Sequence, residues 1–408
     1  MRELIAAART LGEALCEAAI WHEDRCSWMG RSPREVSDPR AALTPTLASL
    51  GPELYGGTAG IALFLAELHA CAGLSAAART ARGAIQHALA RVERDGVRGG
   101  FYDGALGTAY ATVRVGELSR DAGLVARGIA LARRAAALEL QLLDLVAGVS
   151  GAIAPLIVLA RVPGGDALAP RARELADQLS AAAIDDDGGL RWDVQRASGP
   201  GLGTRSLCGF AHGTSGMALA LIEAGVAFDR GAWVDRGLAA LAYEDRLYDR
   251  QARNWPDLRE QPGQLPGVPT FMTAWCHGAP GIGLARLRAA KLLPRRRRQL
   301  ELGLGRARRA TEHWLARMPV EADATPCHGR GGLAEVMLHA PGREARRAAT
   351  GSWLRAIRHA RKHGWRSGVP SGGDNPSLML GNAGIGMALL RAAEPAAVPS
   401  PLVIEPPS

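Results

Sequence analysis

Lysine is almost missing from this chain of 408 residues. Lys291 and Lys362 are the only two, and arginine carries nearly all of the positive charge behind the formal net +9. Aromatic residues make up only 5%, which argues against a sheet protein, while alanine and leucine are plentiful and favour helices. No uninterrupted apolar run of about 18 residues occurs, so no helical membrane span is expected. The opening "MRELIAAARTLGEALCEAAIWHEDR" lacks a compact hydrophobic stretch ending in a cleavage site. It reads as an amphipathic helix, not a signal peptide, and a cytoplasmic protein is expected. The cysteines (Cys16, Cys26, Cys71, Cys208, Cys276, Cys327) are sparse and irregularly spaced. That excludes a secreted disulfide framework and leaves reduced thiols for packing or metal. Arginine clusters in "PRRRRQLELGLGRARR" and "RAIRHARKHGWR". No RNA-binding aromatic motif, zinc knuckle or homeodomain pattern accompanies them, so they read as solvated helix surface and no nucleic-acid partner is expected.

What is present is a repeat. Gly-x-x-Gly followed by an apolar run occurs as "GTAGIALFL" at 57, "GALGTAYA" at 104, "GVSGAIAPL" at 148 and "GTSGMALAL" at 213. It returns as "GAPGIGLARL" at 278, "GRGGLAEVML" at 329 and "GNAGIGMALL" at 381, with spacings of 47, 44, 65, 65, 51 and 52 residues. Each interval accommodates two helices of ordinary length. The run after each glycine pair is apolar on most faces, as a buried inner helix requires. Stretches such as "DAGLVARGIALARRAAALE" suit an outer, half-exposed helix. Paired glycines let backbones converge, and open N–H groups at such helix starts favour anions. The fold class predicted is all-α: an α/α toroid of seven helix pairs with all the Gly-rich turns around one mouth. An open solenoid would need polar capping repeats, and none is visible. The toroid is expected over residues 51–393, with an N-terminal helical segment (1–50) packed on it and a C-terminal tail (394–408).

Aligned on the first glycine, the repeats share a phase. His212, His277 and His328 stand one residue before it, and Cys276 and Cys327 two residues before it. If the ring closes, these side chains converge on one centre. Two thiolates and one imidazole make a zinc site with an open fourth position, the pattern of a catalytic zinc. Such a site is formally neutral, and suits activating an incoming thiol better than activating water. Phase alone leaves the ligand histidine open between His277 and His328. Cys16, Cys26, Cys71 and Cys208 are read as structural.

The paired "WCHGAPGIG" and "PCHGRGG" motifs in a seven-repeat frame resemble lanthionine synthetase C (LanC) enzymes. More narrowly the chain resembles the cyclase half of class II lanthipeptide synthetases (LanM). "WHEDRCSWMG", "NWPDLR", "FMTAWCHGAPGIGLARL", "NPSLMLGNAGIGMALLR" and the ending "VPSPLVIEPPS" carry that likeness. The resemblance covers essentially the whole chain. It implies an α/α toroid around one catalytic Zn2+, with Cys276, Cys327 and His328 as ligands. It also implies that His212 is the acid/base histidine and that Asp144 assists it, while His277 stands where relatives carry an aromatic or a histidine and is the next candidate for proton transfer. Class I relatives have an arginine four residues before the first zinc cysteine; this sequence has Met272 there. The dehydratase half of class II enzymes has no counterpart in these residues.

The function expected is a cyclase that adds a peptide cysteine to dehydroalanine or dehydrobutyrine, closing a thioether ring in a dehydrated precursor peptide. A separate dehydratase partner is expected to make that peptide. The alternatives are a LanC-like thiol transferase that adds glutathione or a similar thiol to dehydrated proteins, and a non-catalytic binding module. The intact ligand set speaks against the module. The connection from about 245 to 274 is expected to lie over the mouth and help seat the peptide.

Overall fold

The structure, a computed structural model, describes residues 1–32, 46–193, 206–259, 268–369 and 373–405. Its helices in chain order begin with α1 (Arg2–Glu17), α2 (Thr58–Ala72), α3 (Ser75–Asp95), α4 (Ala105–Ser119) and α5 (Ala122–Ala136). They continue with α6 (Val149–Leu159), α7 (Leu168–Ala181), α8 (Thr214–Ala227), α9 (Gly231–Arg246) and α10 (Ala279–Leu292). The last four are α11 (Glu301–Arg317), α12 (Arg330–His339), α13 (Arg343–His363) and α14 (Asn382–Ala393).

Every even-numbered helix starts directly after the first glycine of a Gly-x-x-Gly pair and is buried on nearly all sides. The odd-numbered helices bury one stripe. In α13 that stripe is Ala345, Ala349, Ser352, Trp353, Ala356 and Ile357, the three-and-four spacing of a half-exposed helix. Each even helix packs against the next even helix, and α14 packs against α2, so the inner helices form a closed cycle. The outer partners of α2 through α12 follow them in sequence. The partner of α14 is α1, so the two ends of the chain complete the last pair.

The second glycine of each pair has a steric reason. A Cβ at Gly60, Gly107, Gly151, Gly216, Gly281, Gly332 or Gly384 would run into the carbonyl oxygen six residues earlier. The N–H groups at the inner-helix starts are not open to anions, contrary to the expectation from sequence. The loop folds back so that Thr58, Ala105, Val149, Thr214, Gly281, Arg330 and Asn382 each donate to a carbonyl seven residues before them. These bonds satisfy donors that a helix start otherwise leaves unpaired.

Neighbouring turns are also stitched to one another. Tyr55 N–H donates to the Tyr102 carbonyl (2.7 Å), Tyr102 to Val146 (3.0 Å), and Leu145 to Ala211 (2.9 Å). Phe210 and Ala211 both donate to Cys276 (3.1 and 3.2 Å), Trp275 to Cys327 (3.0 Å), Cys327 to Met379 (3.2 Å) and Met379 to Tyr55 (3.0 Å). The belt therefore closes on itself. All seven acceptors stand two residues before a first glycine, the position that Cys276 and Cys327 occupy.

The chain is mostly helical, but an all-α reading misses four antiparallel two-stranded sheets among the described residues. These pair β1 (Ile20–His22) with β2 (Arg25–Ser27), β3 (Met29–Ser32) with β4 (Thr46–Ser49), β5 (Ile184–Asp186) with β6 (Gly189–Arg191), and β7 (Pro256–Asp257) with β8 (Thr270–Phe271). Three buried tryptophans near them close the C-terminal turns of outer helices. Trp28 Nε1 donates to the Leu15 carbonyl, Trp192 to Leu179 and Trp255 to Glu244, each at 2.8 Å. The strands are too short to leave a period in the sequence.

At the far end of the cycle, buried ion pairs tie adjacent inner helices. Glu67 of α2 meets Arg114 of α4, Glu223 of α8 meets Arg288 of α10, and Glu335 of α12 meets Arg391 of α14, each at 2.6 Å. The tail seals the same end: Leu402, Val403 and Ile404 are buried, and Glu405 pairs with Lys291 at 2.6 Å and Arg288 at 3.1 Å.

Burial lifts the carboxyls of Glu67 and Glu223. At Glu335 burial acts the same way, but Arg391 and His339 outweigh it and hold the carboxyl below the ordinary range. The folded pKa of Glu335 thus lies under its unfolded value of about 4.3. Its contribution to stability is full above that value and is lost as pH falls below it. Glu335→Gln, which leaves Arg391 buried without its counter-charge, is expected to cost about 3–5 kcal/mol at pH 7. Melting curves between pH 7 and pH 3 check this: the wild type should lose its advantage over the variant as the solution is acidified.

Candidate active site

The belt brings seven loop positions to the rim of one cavity of about 580 Å³. Its lining includes Tyr55, Asp103, His212, Cys276, His277, Cys327 and His328. Tyr55, Cys276 and Cys327 share the position two before the first glycine; Asp103 and the three histidines share the next one. The common phase read in the sequence becomes a common site.

Cys276 and Cys327 are buried and belong to consecutive turns joined by the Trp275–Cys327 belt bond. Both thiols line the cavity. The neighbouring Cys327 holds the Cys276 thiol down to about 7 against the effect of burial, while the Cys327 thiol is held well above its ordinary value. The Tyr55 hydroxyl donates to Cys327 Sγ at 3.1 Å. His328, beside Cys327, has its Nδ1 at 3.3 Å from Asp323 Oδ2, which leaves Nε2 as the ring nitrogen free for another partner. A carboxylate behind an imidazole is the usual outer support of a metal-binding histidine. Among the described residues, no three His, Cys, Asp or Glu side chains stand close enough together to grip an ion as they are. The set that could hold one by its chemistry is Cys276, Cys327 and His328: two soft sulfurs from consecutive turns and a braced imidazole.

His212 is built differently. Its Nδ1 lies 2.7 Å from Asp144 Oδ2, and Asp144 is fixed in turn by the Ala147 N–H at 2.9 Å. The pair joins two neighbouring turns across the Leu145–Ala211 belt bond. Asp144 is buried and the His212 side chain is 25% exposed, so the ring has one braced nitrogen and open access to the cavity. His277 is buried and stacked on His212 with ring centroids 6.0 Å apart. Burial, then the Arg259 charge, pulls its pKa down to about 3. It lies beside His212 in the lining of the same cavity.

Cys208 does not reach the cavity; it is buried in a separate cluster with Trp255 and Ala279. All six cysteines are free. The structure adds residues that sequence reasoning passed over. Tyr55 and Asp103 were within its reach, because they share the cysteine and histidine positions of their own repeats. Burial, then the nearby Asp144, raises the Asp103 carboxyl to about 6. Asp323 and Arg259 lie off the repeat phase; Arg259 ends the "NWPDLR" stretch, but the repeat gives neither residue a place in the site. Residues 260–267, the middle of the long connection, lie outside the described residues. Of its flanks, Arg259 and Met272 line the cavity.

The model of the lanthionine synthetase C-like protein family matches residues 48–403. The chain belongs to that family. Among solved structures, nisin cyclase is similar with a TM-score of 0.59 and 19% identity, over 83% of this chain and 88% of that one. This shows a shared fold for the LanC-like chain. A sugar epimerase from a ruminal bacterium aligns at a TM-score of 0.47 and 12% identity, over 95% of this chain and 98% of that one. A GH76A alpha-1,6-mannanase from Salegentibacter sp. HEL1_6 aligns at 0.46 and 10%, over 97% and 99%. A search of curated proteins finds no match.

Among the first glycines of the LanC-like turns, Gly278 is the most constrained. Its φ is 85°, and a Cβ there would strike the Met272 carbonyl. Gly278→Ala is therefore expected to shift Cys276 and His277 and to lower both the melting temperature and the metal content of the purified protein. Gly231→Ala, at a site with open space, should change neither. Calorimetry with metal analysis on both variants checks the contrast.

Proposed function

We propose that this chain is a zinc-dependent lanthipeptide cyclase, built as an α/α toroid, that closes (methyl)lanthionine rings in a dehydrated precursor peptide. Membership of the LanC-like family supports cyclase-type chemistry. The observation that carries the reading is one cavity holding two kinds of group: the thiols of Cys276 and Cys327 beside His328, and His212 with its Asp144 partner.

Cys276, Cys327 and His328 would hold the metal, with Asp323 and the Tyr55 hydroxyl behind them. When bound, zinc supplies an acidified, sulfur-oriented position for a substrate thiol. His212 then handles the proton. Asp144 braces Nδ1, so the other ring nitrogen accepts the proton of the incoming cysteine and returns it to the α-carbon of the dehydroamino acid. One C–S bond and one C–H bond form, one S–H bond and one C–C π bond break, and the addition balances without an outside reactant. A separate dehydratase would prepare the peptide, and the cytoplasm would be the place of action. Among the described residues no helix is long and apolar enough to cross a membrane.

The test is incubation with a dehydrated, cysteine-containing peptide, counting free thiols by alkylation and mass spectrometry against a no-enzyme control. Ring closure should exceed the control. His212→Asn should keep its zinc and lose about 10²–10⁴-fold in rate. Closure no faster than the control would sink the proposal. Efficient addition of glutathione in place of ring closure would point to the thiol-transferase function.

A further inference from the structure

Addition of sulfur to a dehydroamino acid pushes an electron pair onto the neighbouring carbonyl oxygen before a proton reaches the α-carbon. Inside a cavity that oxyanion needs a fixed donor, since burying an unpartnered charge is costly and preset donors are where such sites gain most. His212 is committed to the proton, so the donor must be another group.

Arg259 has the required construction. It follows β7, which pairs with β8 so that Asp257 faces Thr270, two residues before Met272. Its Nε donates to Asp257 Oδ1 at 2.9 Å and its Nη2 to Oδ2 at 2.6 Å, and the Asp257 side chain is only 1% exposed. Nη2 also lies 3.6 Å from Met272 Sδ. The guanidinium is thus oriented from one edge by a buried carboxylate and placed against the strand that leads into Cys276. Nη1 donates to no described residue, although Arg259 lines the cavity with His212, Cys276 and His328 and its side chain is 28% exposed. Arg98, another cation of this lining, stands beside Asp103.

We propose that Arg259 is the oxyanion-binding residue of this cavity, its Nη1 donating to the enolate oxygen formed when sulfur adds to the dehydroamino acid. The proposal rests on the cyclase reading. The step moves no further atoms: the C–S bond forms, the π pair goes to oxygen, Arg259 holds that charge, and protonation at the α-carbon returns the pair and restores the carbonyl.

A small thiol acid reports this contact without turnover. In 3-mercaptopropionate the order of atoms, sulfur, two methylenes, carboxyl carbon and oxygen, matches sulfur, β-carbon, α-carbon, carbonyl carbon and oxyanion in the enolate. Its neutral partner is 3-mercaptopropionamide. Calorimetry on the zinc-loaded wild type should show the acid binding at least about tenfold tighter than the amide. In Arg259→Gln the ratio should fall to near one with zinc content unchanged, and ring closure should drop about 10²-fold. Because that variant leaves Asp257 buried without its guanidinium, Asp257→Asn with Arg259→Gln is the second test protein. Met272→Arg added to Arg259→Gln should restore part of the ratio, since the new guanidinium starts beside the old one. A folded, zinc-loaded Arg259→Gln that keeps the wild-type ratio overturns the proposal, as does a wild type with no preference for the acid. A wild type that prefers the acid but closes no ring leaves Arg259 as the anion site and rejects the cyclase reading instead.

Discussion

Backbone hydrogen bonds between loops run once around the mouth of this molecule, from Tyr55 through Tyr102, Val146, Ala211, Cys276, Cys327 and Met379 back to Tyr55. Each is an ordinary bond with a net worth of about 0.5–1.5 kcal/mol; their importance is geometric. A carbonyl two residues before each helix start is fixed against the next turn, so the residues around it hold constant spacing whatever their side chains. The paired glycines let the loops lie this close, and the bonds seven residues back absorb the helix-start donors that would otherwise remain unpaired. Chemistry then needs only a choice of side chain. Cysteine at two adjacent belt positions yields a thiol pair, and histidine one residue later yields the rim.

The frame was legible because it repeats. The glycine pairs, the apolar runs after them and the shared phase of Cys276, Cys327, His212, His277 and His328 are periodic features, and periodic features survive as pattern. The acid partner of His212 was not visible from pattern alone; Asp144 entered through family resemblance, and the 2.7 Å contact now places it. Arg259 ends the "NWPDLR" stretch that carries the family likeness, but its place in the cavity was not visible. Its position depends on a two-residue strand pairing and a long connection, which leave no period. The hairpins stayed hidden for the same reason, although the tryptophans at 28, 192 and 255 do one job at three outer helices. That the N-terminal helix packs on the toroid was expected, but its partner α14 was hidden, because a helix at the start of the chain gives no sign of packing against one near its end.

The two ends of the closed cycle divide the work. At the far end, buried Glu–Arg pairs and the apolar residues of the tail lock adjacent helices, and Tyr102 Oη and Trp275 Nε1 donate to the Pro401 and Leu402 carbonyls. Both aromatic residues belong to the belt loops, so the tail braces the floor of the cavity from beneath. At the mouth, polar groups are held from one side and left open on the other: His212 by Asp144, His328 by Asp323, Arg259 by Asp257. Each brace is a carboxylate, and each leaves a nitrogen for something that enters the cavity. Preorganisation of this kind removes the reorganisation cost at the moment of reaction.

Central to this account is that Cys276, Cys327 and His328, set by consecutive turns of one belt, are the ligands of one zinc. X-ray absorption at the zinc edge of the purified protein measures that directly. The account predicts two sulfur neighbours at about 2.3 Å and one imidazole nitrogen at about 2.0 Å in the resting protein, with a third sulfur on adding a cysteine-containing peptide. A first shell made only of nitrogen and oxygen, or one that gains no sulfur when the peptide binds, would contradict it.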